Sequence, residues 1–503
     1  MSARAFLKNE FRFFLAAAFL GFLPTFFIPF LHIDEGNWAA MSQYIFSGDF
    51  YRGLSDNKPP FLMELFWLFS MGGNSMIALH ICTALWTMVG GIFFYRILTE
   101  HFPKFCSRQE ALWGSLLLIT LSGLINYGAF SAELAISPFL IIATELALRL
   151  KKEKTSLAYG LLIGLCISAA VNIKPTAVFL SLIPIVLCFR SKHGFQAIVF
   201  GFLAGVGMTA LSWLSVQAPL RTIWHEAFEL NFQYVKFNNF KNAEASWDVF
   251  KNILVALFLA YASATLGSIG AGFALIRSTL KDKKYTTHHF TAIVLSLFLL
   301  AMTIVTVSYG RRFFQQYFVA ALPCLAFFSV YSVGKFGKRW QYFLSSLALI
   351  SLIGFHSKIF YLQAQDKNKN WDSKIEKLIT EIKKDTLPTD TIWISNTPGS
   401  AYFESDRKPA VKYYLFLHIN HFVVICRSED AELKEDLNFP LYQEALQSLE
   451  TNKPKVIFWT QRASNSCSDR LKISQYPSIE KLLASHYEKI WENDLGIYFR
   501  RKS

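Results

Sequence analysis

Apolar runs of roughly 18–25 residues recur over the first 360 positions of this chain, and they limit its fold more than any other feature. A run of that length crosses about 30 Å of hydrocarbon as a helix. Only a helix satisfies every backbone N–H and C=O within such a segment. Eleven runs are read, at 13–31, 75–98, 111–129, 133–150, 157–172, 175–190, 196–218, 249–276, 289–308, 314–332 and 340–358. The expected fold is therefore a polytopic α-helical membrane protein, with about eleven transmembrane helices and a C-terminal soluble α/β domain. The first run is longer than the apolar core of a signal peptide and lacks an A-x-A site, so it is expected to be retained.

Lysine and arginine placement sets the orientation. One alternating set of short segments, from Arg4, Lys8 and Arg12 through to Lys335, Lys338 and Arg339, carries nineteen basic residues, and the other set carries eight. The richer set is cytoplasmic by this rule. The N-terminus is then inside, the C-terminal domain is extracytoplasmic, and the protein is a multi-pass resident of the inner (plasma) membrane. The formal charge of +14 follows largely from this asymmetry. Basic residues scattered over short loops offer no patch for a nucleic acid, so membrane lipids are the expected surroundings.

The polar stretch after Phe360 (Q-A-Q-D-K-N-K-N-W-D-S) separates a membrane unit, 1–360, from a tail at 371–503. Strand patterns are read at Thr391–Ser395, Phe422–Cys426, Lys455–Thr460 and Gly496–Arg501, and helical patterns at 371–384, 441–450 and 478–492. That alternation predicts a covered, mainly parallel sheet. The tail has no G-x-G-x-x-G and no P-loop. Cys426 and Cys467 lie in it, where export would permit a disulfide. Two outward segments, 32–74 and 219–248, are long enough for interfacial helices, and the second is dense in aromatics.

The charged residues that interrupt the apolar part sort to the outer side: Asp34, Glu35, Asp56, Lys58, Glu133, Lys174, Arg311 and Arg312. Adjacent acids can divide the work of proton acceptor and orienter, or ligate a metal; the same residues also suit the first turn of a helix. In N-K-P-P at 57–60, the prolines hold Lys58 in one direction, and an ammonium at the interface suits a phosphate. Lys174 before Pro175 offers a second such contact, and paired Arg311 and Arg312 can clamp a phosphate. Asp56 and His225, joined by the other outer acids, are the candidate ligands for a divalent metal ion.

Taken in order, D-E-G at 34–36, S-G-D-F-Y at 47–51, D-N-K-P-P at 56–60, Glu133, and G-R-R-F-F-Q-Q-Y-F-V-A-A-L-P at 310–323 resemble the polyprenol-phosphate-dependent glycosyltransferases of the GT-C type. The similarity is to bacterial relatives of the protein O-mannosyltransferases and of the lipid A aminoarabinose transferase. The segment 392–410 resembles the start of that family's extracytoplasmic domain. The resemblance implies transfer of a single sugar, with inversion, at the outer membrane face. The donor would be a polyprenyl-phosphate-linked sugar and the acceptor an envelope lipid, glycan or protein. It implies Asp34 as base, Glu35 orienting it or assisting the acceptor site, Glu133 supporting the acid cluster or ligating a metal, and Lys58 with one of Arg311 and Arg312 on the donor phosphate. Asn57 stands where the aminoarabinose branch has an acid, which leaves the metal and that sugar open. A transporter or flippase for an envelope lipid or sugar is the rival reading. Against it, the charges cluster on one side rather than at the midplane, and no inverted repeat is evident.

Overall fold

The computed structural model describes residues 10–27, 33–51, 53–54, 58–73, 75–124, 128–150, 156–230, most of 251–281, 301, 315–368, 371–395, 400–412, 435, 437–461 and 472–502. The helices are α1 (Phe11–Gly21), α2 (Ile33–Ser42), α3 (Pro60–Phe69), α4 (Met76–Arg96), α5 (Arg108–Ser122), α6 (Ala132–Arg149), α7 (Ser156–Ile173), α8 (Ala177–Cys188), α9 (Gly194–Ser215), α10 (Leu220–Trp224), α11 (Ala262–Lys281), α12 (Leu322–Phe336), α13 (Lys338–Asn368), α14 (Trp371–Asp385), α15 (Ser400–Ser405), α16 (Pro440–Asn452) and α17 (Pro477–His486). Among the described residues, four stretches are long and apolar enough to cross a bilayer: Met76–His101, Gly194–Ser215, Tyr317–Phe336 and Lys338–Ala364. The expected run at 289–308 lies outside the described residues.

Local chemistry explains where the helices start. Ser75, Ser107 and Ser131 each cap a helix by accepting a backbone N–H, from Ala78, Glu110 and Leu134 respectively. Ser107 and Glu110 form a reciprocal capping box. The run expected at 13–31 is not one helix. It stops at Gly21 and continues as a 3₁₀ turn, Leu23–Phe26, because Pro24 cannot supply the N–H that an α-helix would need there.

Helices α7 and α9 meet along small residues. A Cβ at Gly164 would overlap the Gly201 carbonyl, and one at Gly160 would stand 2.6 Å from the carbonyl oxygen of Ala197. Absent side chains let the two backbones touch, which is how helices associate where lipid supplies no hydrophobic drive. Asn172 adds polar glue, donating its amide to the Ser168 carbonyl (2.9 Å) and to Thr209 Oγ1 (2.7 Å).

The tail carries one five-stranded sheet in the order β2 (Lys408–Pro409), β1 (Thr391–Ile394), β3 (Val456–Thr460), β5 (Gly496–Arg501), β4 (Tyr487–Glu492). The sheet is mixed rather than mainly parallel: β2, β1 and β3 run parallel, while β5 and β4 are antiparallel additions. The helix expected through 478–492 is likewise corrected. It ends at His486, and Tyr487–Glu492 forms an edge strand instead. Asn493 makes the reversal by accepting the Leu495 and Gly496 N–H groups on its side chain, so pairing with β5 overrides the helical spacing. The strand pattern at 422–426, Cys426 and Cys467 lie outside the described residues.

One apolar core joins the tail to α2 and α3. Trp38 (6% exposed), Met41 (2%) and Ile45 (0%) lie in the same buried cluster as Trp393 and Tyr402 of the tail. Helix α2 is thus a core element and not the interfacial helix that its amphipathic spacing suggests.

Candidate active site

Helix α2 opens with Asp34 and Glu35 in its first turn, where the helix dipole favours anions. The two acids have different surroundings. Asp34 is partly buried, whereas Glu35 is fully buried. Glu35 Oε1 accepts the Phe130 backbone N–H at 2.8 Å and lies 2.9 Å from His80 Nε2. On the other side of the same imidazole, Nδ1 is 2.6 Å from the Thr25 carbonyl. A carbonyl only accepts, so Nδ1 carries a proton. The Nε2–Oε1 contact then needs a further proton, and imidazole and carboxyl hold it between them. His80 sits one turn beyond the Ser75 cap of α4, and Thr25 lies in the 3₁₀ turn that Pro24 imposes. Three separate segments therefore converge on Glu35 and its imidazole partner.

Phe130 fixes this convergence sterically as well. Its ring packs against Phe66 at 5.2 Å, Phe69 at 6.1 Å and Trp38 at 6.4 Å, tying α2 and α3 to the entry of α6. Three residues on, Glu133 occupies the first turn of α6 and is 5% exposed. It forms an ion pair with Lys174, which follows the last residue of α7. The same ammonium stands 3.5 Å from the centre of the Tyr317 ring. Glu133, Lys174 and Tyr317 thus meet at one point, adjoining the acid pair through Phe130 and Ser131.

Below that point an apolar cleft opens. It is lined by Ile136, Ser137, Leu140, Ile141, Thr144 and Leu148 of α6, Leu180 and Ile183 of α8, and Phe94, Ala320, Pro323 and Phe327 among others. Ile136 is one turn from Glu133, and Ala320 is three residues from Tyr317. From Ile136 to Leu148 the α6 lining rises about 18 Å at 1.5 Å per residue. A cation therefore stands at the head of a long apolar slot.

Lys58 is held through its backbone. Its carbonyl accepts the Tyr51 hydroxyl, and Pro59 and Pro60 follow as the start of α3. Asp56, Arg311 and Arg312 lie outside the described residues. His225 stands 3.5 Å from Glu226, whose buried carboxylate also takes Lys412 of the tail at 2.7 Å. A second tie joins Lys408 to Asp49. Between these ties, α15 closes on α2, and a Cβ at Gly36 would be only 3.0 Å from the Ser400 nitrogen. The tail thus covers the helix that carries the acid pair.

Among the described residues, the His and acid side chains that approach one another as metal ligands would are Glu100, His101 and Glu145, with ligating atoms within 4.8 Å. They lie at the opposite ends of α4 and α6 from His80 and Glu133. Arg96 and Arg149 already pair with Glu145, and Arg149 also with Glu100, so two guanidiniums neutralise the two carboxylates and would repel a cation. At the acid pair itself, Glu35 carries His80 and Glu133 carries Lys174. Each of these two carboxylates already has a cationic or proton-sharing partner, so neither stands as an open ligand for a divalent ion.

No protein-family model matches this sequence, and no curated protein sequence does. Solved structures do. ArnT of Cupriavidus metallidurans in the apo state superposes with a TM-score of 0.62 at 12% identity, covering 97% of this chain and 96% of that one. The oligosaccharyltransferase of Archaeoglobus fulgidus, in complex with Zn and sulfate, superposes with a TM-score of 0.52 at 11% identity, over 97% of this chain and 73% of that one. The fold is the GT-C fold. Within it, Glu35, Glu133 and Lys174 meet around the start of α6. His80 is the member of that group which sequence reading passed over. The available signal was a lone histidine five residues into an apolar run that begins on the same side as Asp34.

Proposed function

We propose that this protein is an inverting membrane glycosyltransferase. It moves a single sugar from a polyprenyl-phosphate-linked donor to an envelope lipid, glycan or protein acceptor at the outer face of the inner membrane. The observation that carries the reading is the Lys174 ammonium, held by Glu133 and Tyr317 at the head of the apolar cleft. An anionic phosphate on a long apolar tail suits that pairing of charge and slot. In the reaction, the acceptor hydroxyl attacks the anomeric carbon from the side opposite the phosphate and gives its proton to the Asp34 carboxylate. The bond from anomeric carbon to phosphate oxygen breaks, and polyprenyl phosphate leaves. Lys174, with Lys58 and the Arg311–Arg312 pair, stabilises the charge that grows on the departing phosphate. Such fixed cations in a water-poor site contribute roughly 3–4 kcal/mol each. Glu35 holds α2, and so Asp34, through His80 and Phe130. No step is routed through a metal.

In the same proposal the N-terminus lies in the cytoplasm, and residues 371–503 form an α/β domain on the outer side. Sugar transfer from undecaprenyl-phosphate-linked donors in proteoliposomes tests the chemistry. Asp34→Asn is expected to lose at least 100-fold in kcat (on the order of 10²–10⁴ for a general base), while Lys174→Ala weakens donor binding. Full transfer by Asp34→Asn would remove the proposed base. Impermeant labelling that finds the tail inside the cell would overturn the placement of the site.

A further inference from the structure

Helix α2 carries a second polar group that the reaction as written does not use. Asn37 is 2% exposed, and neither its Oδ1 nor its Nδ2 has a hydrogen-bond partner among the described residues. An amide brings two donors and an acceptor oxygen with two lone pairs, and buried polar groups are ordinarily paired. Asn172 shows the ordinary case. The buried Nδ2 of Asn172 donates to Ser168 and Thr209, where it joins α7 to α9. Asn37 makes no such link among the described residues. Its helix neighbours Trp38, Ala39, Ala40 and Met41 fill the core with apolar atoms, so packing supplies no reason for an amide at this position.

Its place on the helix supplies one. Asn37 follows Asp34 by three residues, which puts the two side chains on one face with Cβ atoms about 5–6 Å apart. Glu35 projects away from that face, toward His80 and Phe130. The adjoining Gly36 face is closed by Ser400 of the tail. The unpaired amide is thus shielded from bulk water on the same face as the partly buried acid.

We propose that Asn37 is a specificity-determining residue whose amide hydrogen-bonds a sugar hydroxyl next to the reacting centre, donating from Nδ2 and accepting at Oδ1. This rests on the transferase reading above and deepens it. The ligand chemistry is a hydroxyl of a pyranose or furanose ring, carried either by the donor sugar or by a glycan acceptor. A site built to pair with a hydroxyl rejects analogues that lack it far more strongly than an apolar pocket can.

The test uses the full-length protein in detergent with three probes: undecaprenyl phosphate, undecaprenyl phosphoglucose and undecaprenyl phosphomannose. Affinities and thermal unfolding are measured for the wild type, Asn37→Ala and Asn37→Asp, with acceptor KM from turnover. Asn37→Ala is expected to unfold at the wild-type temperature or above it, since it removes an unpaired amide, and to bind undecaprenyl phosphate within twofold of the wild type. If the hydroxyl is the donor's, the extra affinity that the wild type gains from the better-fitting sugar falls about tenfold in Asn37→Ala. If it is the acceptor's, donor affinities hold and acceptor KM rises by a similar factor. Asn37→Asp keeps acceptance and loses donation, so it falls between the other two. Unchanged donor affinity together with unchanged acceptor KM overturns the proposal. So does a lower unfolding temperature of ligand-free Asn37→Ala with those constants unchanged, because the amide would then serve the fold through bridging water. Failure of the wild type to bind undecaprenyl phosphate removes the donor reading, and this inference with it; retained binding with no Asn37 effect removes this inference alone.

Discussion

Replacing His80 by leucine tests the claim that Glu35 is a strut. Glu35 and His80 are both fully buried and 2.9 Å apart; Glu35 also accepts the Phe130 N–H, and His80 also meets the Thr25 carbonyl. In His80→Leu the carboxylate keeps Phe130 but loses the group that shares its proton, and the Thr25 carbonyl loses its donor. Breaking one side of a buried pair costs about 3–5 kcal/mol. Glu35→Leu leaves the imidazole and the Phe130 N–H behind; an imidazole can shed its charge, so the cost is nearer that of unpaired buried polar groups, about 1–3 kcal/mol each. In the double variant the charges are gone, while the Thr25 carbonyl and the Phe130 N–H are unpaired. The double loss should therefore fall short of the summed single losses by about 3 kcal/mol, at the upper end of the range of roughly 0.5–3 kcal/mol seen for directly coupled residues. Equilibrium unfolding by denaturant in mixed micelles, read by tryptophan fluorescence, gives the three free energies. Agreement of the double with the sum to within about 0.5 kcal/mol, the margin for independent sites, would refute the coupling and leave Glu35 without its strut role.

Lys412→Ala removes the ammonium that pairs with the buried Glu226 carboxylate and should cost about 3–5 kcal/mol. Lys408→Ala breaks a pair whose side chains are 34% and 46% exposed, and should cost under about 1 kcal/mol; equal losses in denaturant titrations would contradict the burial argument. Gly36→Ala places a Cβ 3.0 Å from the Ser400 backbone, so α15 must shift, at about 1–3 kcal/mol for overpacking. Limited proteolysis between 400 and 412 should then speed up, and an unchanged rate would show that the cover is not seated on α2. Burial raises the Glu64 carboxyl above its ordinary value of 4.5, partly offset by hydrogen bonds from Ser215 and Ser212. The folded state therefore holds that proton more tightly than the unfolded chain. This contribution is fully present below pH 4.5 and is lost as pH rises through the folded value. Glu64→Gln should flatten the stability profile above pH 4.5, and an unaltered profile would assign the slope to other groups.

The amino-acid sequence by itself determined the parts of this protein that depend on neighbours along the chain. Apolar run length made the helices, serine caps started them, and paired prolines fixed the approach to α3. Short continuous apolar runs made β1, β3 and β5. The same locality placed Asp34 and Glu35 in a helix first turn and Glu133 in another. It went astray where a distant partner outweighed the local pattern: β5 draws residues 487–492 out of a helix into a strand, and the tail buries α2, whose amphipathic spacing alone suits a membrane surface. The tertiary structure alone decided which of the charged residues meet. Glu35 reaches His80 across 45 residues and Phe130 across 95, and Lys174 reaches Glu133 across 41. The reason is physical. Periodicity, caps and turn residues act over a few positions, whereas these contacts depend on how packed helices cross and on where one buried proton can be shared. That is also why His80 and Asn37, plain polar residues among apolar ones in the sequence, acquire their meaning only once the helices around them are assembled.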